Sequence, residues 1–249
     1  MEETVKYLGC KIKGTSVTLK ADFYLLCQCC QSQGRAKQCF GVDIVANPQK
    51  PNDMRPFDVL PSGNTIYDEV KKQQDANLTL AYLAYTAGCR NIISPYEQCY
   101  RNHGNNLFIL STAWGIVRAD FRIPKYDVSF SPQADLRVKA KLNSRGDYAN
   151  NHWNSYANAA FNHLKDEIDS NLEVNSKKPI VVILAKTYLL RFARVYSNSG
   201  MSNPLVIISK TRVPISVENI LKNSYIIKKH EQIKIGNKRQ WHYEVMRLI

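Results

Sequence analysis

The chain has 249 residues, 44% of them hydrophobic, and 34 Lys and Arg against 21 Asp and Glu leave a formal charge of +13. That apolar share excludes a disordered chain. No apolar run nears the roughly 20 residues of a membrane helix, so the sequence offers no candidate for a helical bilayer span.

The opening Met1-Glu2-Glu3-Thr4 is acidic and lacks an apolar signal core, which predicts an intracellular, cytoplasmic protein. The length suits one α/β domain over residues 1–249, with 222–249 as a basic C-terminal extension. The first apolar run is Phe23-Tyr24-Leu25-Leu26, leading into Cys27-Gln28-Cys29-Cys30-Gln31-Ser32. The run is continuous, not alternating, which predicts a strand buried on both faces. Asn47 to Asn64, rich in Pro, Asn and Asp, reads as a long ordered loop, and connectors of that length are commonly functional. Residues 78–88, rich in Leu and Ala, read as a helix. Leu107-Phe108-Ile109-Leu110 is the second strand, followed by Ser111. Trp153, Tyr156, Ala157, Ala160, Phe161, Leu164 and Ile168 recur at helical spacing and predict one apolar stripe. Ile180-Val181-Val182-Ile183-Leu184 is the third strand, with Lys186 and Thr187 behind it. Leu205-Val206-Ile207-Ile208 is the fourth, followed by Ser209-Lys210-Thr211-Arg212. Ser216 reads as the N-cap of a further helix. Partial alternation around Gly236-Asn237 predicts a terminal hairpin between Tyr225 and Leu248.

Strands alternating with helices predict a single-domain, three-layer α/β/α fold around a mainly parallel, four-stranded sheet. In such sheets the ligand crevice lies beyond the carboxyl ends of the strands. Polar and basic groups follow all four runs, which points to one shared site.

The charge is unevenly placed. Residues 1–173 carry 20 basic and 18 acidic side chains, whereas residues 174–249 carry 14 and 3. A surplus concentrated in the last third predicts a patch for a polyanion, nucleic acid being the usual one; a solvated basic face is the bland alternative. The seven cysteines are an odd, scattered set, which predicts reduced thiols. Cys27 and Cys30 form a C-x-x-C pair, but no second close pair and no His-x-x-x-His accompanies it, so neither a metal nor a cofactor is expected. His230 and His242, in the basic C-terminal segment, read as surface or strand residues.

In order and spacing, six segments resemble the uracil-DNA glycosylase fold superfamily. They are Gln28 to Ser32 with Gly34 to Phe40, Pro61-Ser62-Gly63-Asn64-Thr65-Ile66-Tyr67, Phe108 to Ser111, Trp153 to Tyr156, Ile180 to Leu184, and Ser209 to Ser216. The resemblance implies a DNA-acting monomer that excises a base. It puts Gln28 in the catalytic loop, Phe40 at the residue that stacks on the base, and Ser62, Lys186, Lys210, Thr211 and Arg212 beside DNA. The family's water-activating Asp falls on Cys29, its 5-methyl barrier on Gln31, its base-reading Asn on Ser111, and its base-stabilising His on Ser209. Phe108 to Val117, with Pro124-Lys125-Tyr126 behind it, also resembles the YaaA peroxide-stress proteins, which implies DNA binding.

Cleavage of an N-glycosidic bond needs an extruded base in a pocket, a placed water and stabilisation of the departing base. Phe40, Trp114 and Tyr126 can stack, and Asp43, Asp58 or Asp120 can stand in for the missing carboxylate; the sequence leaves all three open. Gln31 for an aromatic barrier opens space at the base 5-position, and Ser111 removes a bidentate reader. Together these changes predict a modified base, a 5-substituted pyrimidine, in place of uracil, and a role in defence against modified foreign DNA. A DNA-binding protein without turnover is the alternative.

Overall fold

The computed structural model describes residues 11–13, 16–18, 22–30, 35–45, 48, 50–74, 77–87, 93–128, 162–209, 213–221, 224–228 and 241–248. Strands β1 (Lys11–Lys13) and β2 (Ser16–Thr18) pair antiparallel. Strand β3 (Tyr24–Gln28) enters the main sheet, and β4 (Asp43–Val45) and β5 (Asp53–Met54) begin a small parallel one. Helix α1 (Ile66–Lys72) starts at Thr65, whose hydroxyl accepts from the Asp68 amide while the Asp68 carboxylate accepts from the Thr65 amide. This reciprocal cap satisfies two donors that the first turn would leave open. There follow β6 (Thr79–Leu80), α2 (Ala81–Ala84), α3 (Pro95–His103), β7 (Leu107–Ser111), β8 (Gly115–Arg118), β9 (Arg122–Ile123) and β10 (Tyr126–Asp127). The C-terminal half contributes α4 (His163–Ser170), α5 (Leu172–Asn175), β11 (Ile180–Ile183), α6 (Lys186–Asn198), β12 (Leu205–Ser209), α7 (Ile215–Ile220), β13 (Ser224–Lys228) and α8 (Trp241–Leu248).

The main sheet has the order β13-β12-β11-β3-β7-β8, parallel except for β8. The four expected strands are its centre, and the expected count is corrected to six. β13 reads Ser-Tyr-Ile-Ile-Lys, polar at both ends, so it does not stand out as an apolar run, as suits an edge strand. β8 turns back on β7 within three residues, and Gly115 supplies the positive φ of 77° at that reversal.

Side chains of the central strands alternate between two apolar clusters. Leu25, Cys27, Leu107, Ile109, Val181 and Ile183 lie in one, with Ile66 and Val70 of α1, Tyr96 and Cys99 of α3, and Val245 and Met246 of α8. Tyr24, Leu26, Phe108, Leu110, Ile180 and Val182 lie in the other, with Leu164 and Ile168 of α4, Leu189 and Phe192 of α6, and Val217 of α7. Both faces are thus buried by helices, the physical reason the runs are continuous. Each fully buried Leu or Ile contributes about 1.5–3 kcal/mol of transfer free energy.

Three further expectations are corrected. The described parts of Tyr225 to Leu248 are not arms of a hairpin: Ser224–Lys228 pairs parallel with Leu205–Ser209, and Trp241–Leu248 is a helix. The spacing of Trp241, Val245 and Met246 puts one helical face into the core, and a helix buries that face better than an isolated strand. Gly236-Asn237 lies outside the described residues. In place of one helix over 78–88, Thr79–Leu80 is a strand paired with Arg122–Ile123, Ala81–Ala84 is one helical turn, and Tyr85 and Thr86 beyond it are buried and non-helical. Ser216 lies inside α7, whose N-cap is Pro214. The stretch from Asn47 to Asn64 contains β5 and an isolated bridge from Val59 to Thr65. Of the predicted apolar stripe, Leu164 and Ile168 are buried in α4, while Trp153 to Phe161 lie outside the described residues.

The strand order carries a functional consequence. From β3 the chain moves to β7 on one side, and from β11 it moves to β12 on the other. The β3–β11 boundary is therefore a topological switch point, the place where open α/β sheets bind ligands beyond the carboxyl ends of their strands.

Candidate functional site

Register sets which groups meet at this boundary. Gln28 pairs with Leu110, Cys27 with Ile183, and the Cys29 amide donates to the Leu110 carbonyl at 2.9 Å. Gln28, Cys29 and Ser111 therefore sit side by side at the ends of β3 and β7.

Below them lies a buried hydroxyl and thiol network. Tyr126 Oη lies 2.6 Å from Tyr85 Oη and 2.8 Å from Ser111 Oγ, and Ser111 Oγ accepts from the Trp114 amide at 3.3 Å. The Trp114 and Tyr126 rings meet edge to face at 5.8 Å. Cys29 Sγ lies 3.5 Å from both Thr112 Oγ1 and Tyr188 Oη, which are 3.4 Å apart. Cys30 Sγ accepts from the Ala87 amide, and Tyr96 Oη donates to the Gln28 carbonyl at 2.8 Å. Burial raises the Tyr85, Tyr126 and Tyr188 hydroxyls well above their ordinary pKa and the Cys30 thiol to about 11. Neutral buried groups of this kind hold their places by hydrogen bonds and supply no general base at neutral pH.

The amide of Gln28 is fixed from two directions. Its Oε1 accepts from the Ala185 amide at 2.6 Å, just before α6, and its Nε2 lies 3.5 Å from His242 Nε2 on α8. Gln28 is 8% exposed and His242 7%. Burial lowers the His242 imidazole to about 4, so it is neutral near pH 7. The reading of His242 as a surface or strand residue is thus corrected. A contact across 214 positions leaves no local signal in a sequence. Thr112, Tyr85 and Tyr188 also reach the network from positions that sequence reasoning did not single out.

The predicted residues divide into groups. Gln28, Cys29, Ser111, Trp114 and Tyr126 are brought together, and all five are buried, forming a floor beneath the strand ends. Phe40 is partly buried against the same core cluster with a φ of 66°, a left-handed conformation that costs a bulky residue of order 1–3 kcal/mol. Its loop is tied beside β10 by the Lys125 amide donating to the Lys37 carbonyl at 2.8 Å. Lys186 is exposed at the start of α6, and Ser62 is exposed in the turn before α1. Ser209 ends β12, its backbone in register with Lys228. Gln31, Lys210, Thr211 and Arg212 lie outside the described residues.

The three candidate carboxylates have partners of their own. Asp43 accepts from Gln38 Nε2 at 2.7 Å, Asp58 accepts from the Arg55 amide at 2.8 Å, and Asp120 holds Arg118 through two 3.0 Å bonds. Beside that last pair a pocket of about 290 Å³ is lined by Arg118, Phe121, His163, Asp166 and Glu167. It includes no predicted site residue. Cys27 Sγ donates to the Phe108 carbonyl, so the two thiols of the C-x-x-C pair have different partners.

Comparison with protein-family models, with curated proteins and with solved structures finds no match for the chain.

Proposed function

We propose that the protein is a DNA glycosylase-like hydrolase that takes an extruded, modified base, a 5-substituted pyrimidine, into the crevice above Gln28 and cleaves its N-glycosidic bond. One observation carries this reading. Gln28, Cys29 and Ser111, picked from two segments by the glycosylase resemblance, meet at the strand ends beside a topological switch point, with Tyr126 and Trp114 of the YaaA resemblance against Ser111. The strained Phe40 supports it, because a left-handed aromatic beside such a crevice is the kind of local cost that functional sites retain. The surplus of basic residues after position 174, with Lys186 exposed at the start of α6, supplies the grip on phosphate. The reading includes a cytoplasmic monomer with a three-layer, single-domain arrangement. Helices packed against each face of the sheet support that arrangement.

A second reading, DNA binding without turnover in the manner of the YaaA resemblance, is favoured by one observation. Asp43, Asp58 and Asp120 are each engaged by groups outside the network. Formation of abasic sites decides between the two. DNA carrying uracil, thymine mismatches or 5-substituted cytosines is incubated with the protein, and the first reading expects abasic sites with the 5-substituted bases. Binding with no abasic sites on any DNA supports the second reading, and activity confined to uracil overturns the modified-base assignment.

A further inference from the structure

The Gln28–His242 contact determines what the crevice offers a ligand. The Ala185 backbone N–H can only donate, so the atom facing it at 2.6 Å is the amide oxygen of Gln28. The Gln28 Nε2 group is then a donor, and His242 Nε2, 3.5 Å away, must accept. A neutral imidazole that accepts at Nε2 carries its hydrogen on Nδ1. His242 Nδ1 is buried and has no hydrogen-bond partner among the described residues. Among the described residues the second Nε2 hydrogen of Gln28 has no hydrogen-bond partner, and Gln28 lies at the switch-point end of β3.

We infer that His242, brought by the C-terminal helix, is a positioning residue that locks the Gln28 amide so that it meets the ligand as a donor, selecting bases that present an acceptor to it. This rests on the base-binding reading and deepens it. A carbonyl oxygen or an unprotonated ring nitrogen satisfies the amide hydrogen; an exocyclic amine in the same place meets a second donor. Without His242 the amide keeps only its bond to Ala185, and the selectivity relaxes.

The test joins two measurements on the full-length protein. Long-range ¹⁵N–¹H correlation spectra at pH 7 report the His242 tautomer without reference to any function. The expected result is hydrogen on Nδ1 alone; hydrogen on Nε2, in either the other tautomer or the imidazolium, overturns the inference while leaving the base-binding reading intact. Equilibrium binding is then compared for two DNAs that differ only in a carbonyl oxygen or an amine at one edge of the same 5-substituted pyrimidine. Wild type is expected to prefer the carbonyl about three- to tenfold, the worth of one hydrogen bond. His242→Phe should lose that preference, and His242→Gln, whose side-chain oxygen can accept from Gln28, should restore it. Equal preference in wild type and His242→Phe overturns the inference. No affinity of wild type for either DNA overturns the base-binding reading itself and the selectivity with it.

Discussion

The two ends of the same sheet are built from different chemistry. At the amino ends, charge does the fixing. Lys178, before β11, pairs with Asp22, before β3, at 2.8 Å, bonds Asn106, before β7, and stands 4.3 Å from the centre of the Tyr24 ring. Asn203, before β12, donates to the Asn175 and Lys178 carbonyls. At the carboxyl ends the network among Gln28, Cys29, Ser111, Thr112, Tyr126, Tyr188 and His242 runs through amide, sulfur, hydroxyl and imidazole atoms, and its members are largely buried. The contrast teaches that the amino ends are stapled through the charge of Lys178, whose partner Asp22 is open to water, whereas the carboxyl ends hold buried dipoles at the place where connections diverge. Fixed dipoles in a dry site are what recognition of a neutral base requires.

Substitutions at the two ends should therefore fail differently. Gln28→Leu should be the most damaging, because it strands the Ala185 N–H and the His242 ring together. About 2–6 kcal/mol of stability should go in urea unfolding, at about 1–3 kcal/mol for each of the two stranded groups. Base release should fall by about a hundredfold.

Acid should act next most strongly. The His242 imidazole sits at about 4 in the fold against an ordinary 6.5. The unfolded chain thus takes up the proton first as pH falls. His242's contribution to stability is whole above pH 6.5 and is lost between there and about 4, up to about 3 kcal/mol. His163, pushed down to about 4 by burial and by Arg118, acts in the same direction. Urea midpoints measured from pH 8 to pH 4 should fall in wild type and fall less in His242→Gln.

Tyr126→Phe tests the buried hydroxyls, since it removes the partner of both Tyr85 and Ser111. It should cost about 1–3 kcal/mol with the fold preserved, read by thermal unfolding and circular dichroism. Asp22→Asn should cost least. Its carboxylate is 73% exposed, so the pair with Lys178 is screened, and a loss below about 1 kcal/mol with unchanged DNA affinity is expected. A large effect of Asp22→Asn on DNA affinity would erase the distinction between the ends.

How much of this was legible in the sequence follows from range. The four central strands were readable because burial on both faces leaves continuous apolar runs, as in Ile180 to Leu184. The place of Gln28, Cys29 and Ser111 at strand ends was readable because each follows such a run within three residues. The edge strand Ser224–Lys228 was not, because an edge needs fewer apolar residues. Tyr85 was hidden inside an apolar stretch that looks helical until its hydroxyl is seen bonded to Tyr126. His242 was hidden because its partner is far along the chain, and the alternation around Gly236-Asn237 suggested a hairpin instead of the helix that carries it.

The central claim is that the carboxyl-end crevice receives a base from DNA, and release of free base measures this most directly. DNA carrying a 5-substituted pyrimidine is incubated with wild type, Gln28→Ala, Phe40→Ala and the amino-end variant Lys178→Ala, and the released base is quantified. The account predicts release by wild type and by Lys178→Ala, with about a hundredfold less from Gln28→Ala and Phe40→Ala. Equal release by all four proteins, or none from any DNA offered to wild type, would contradict it.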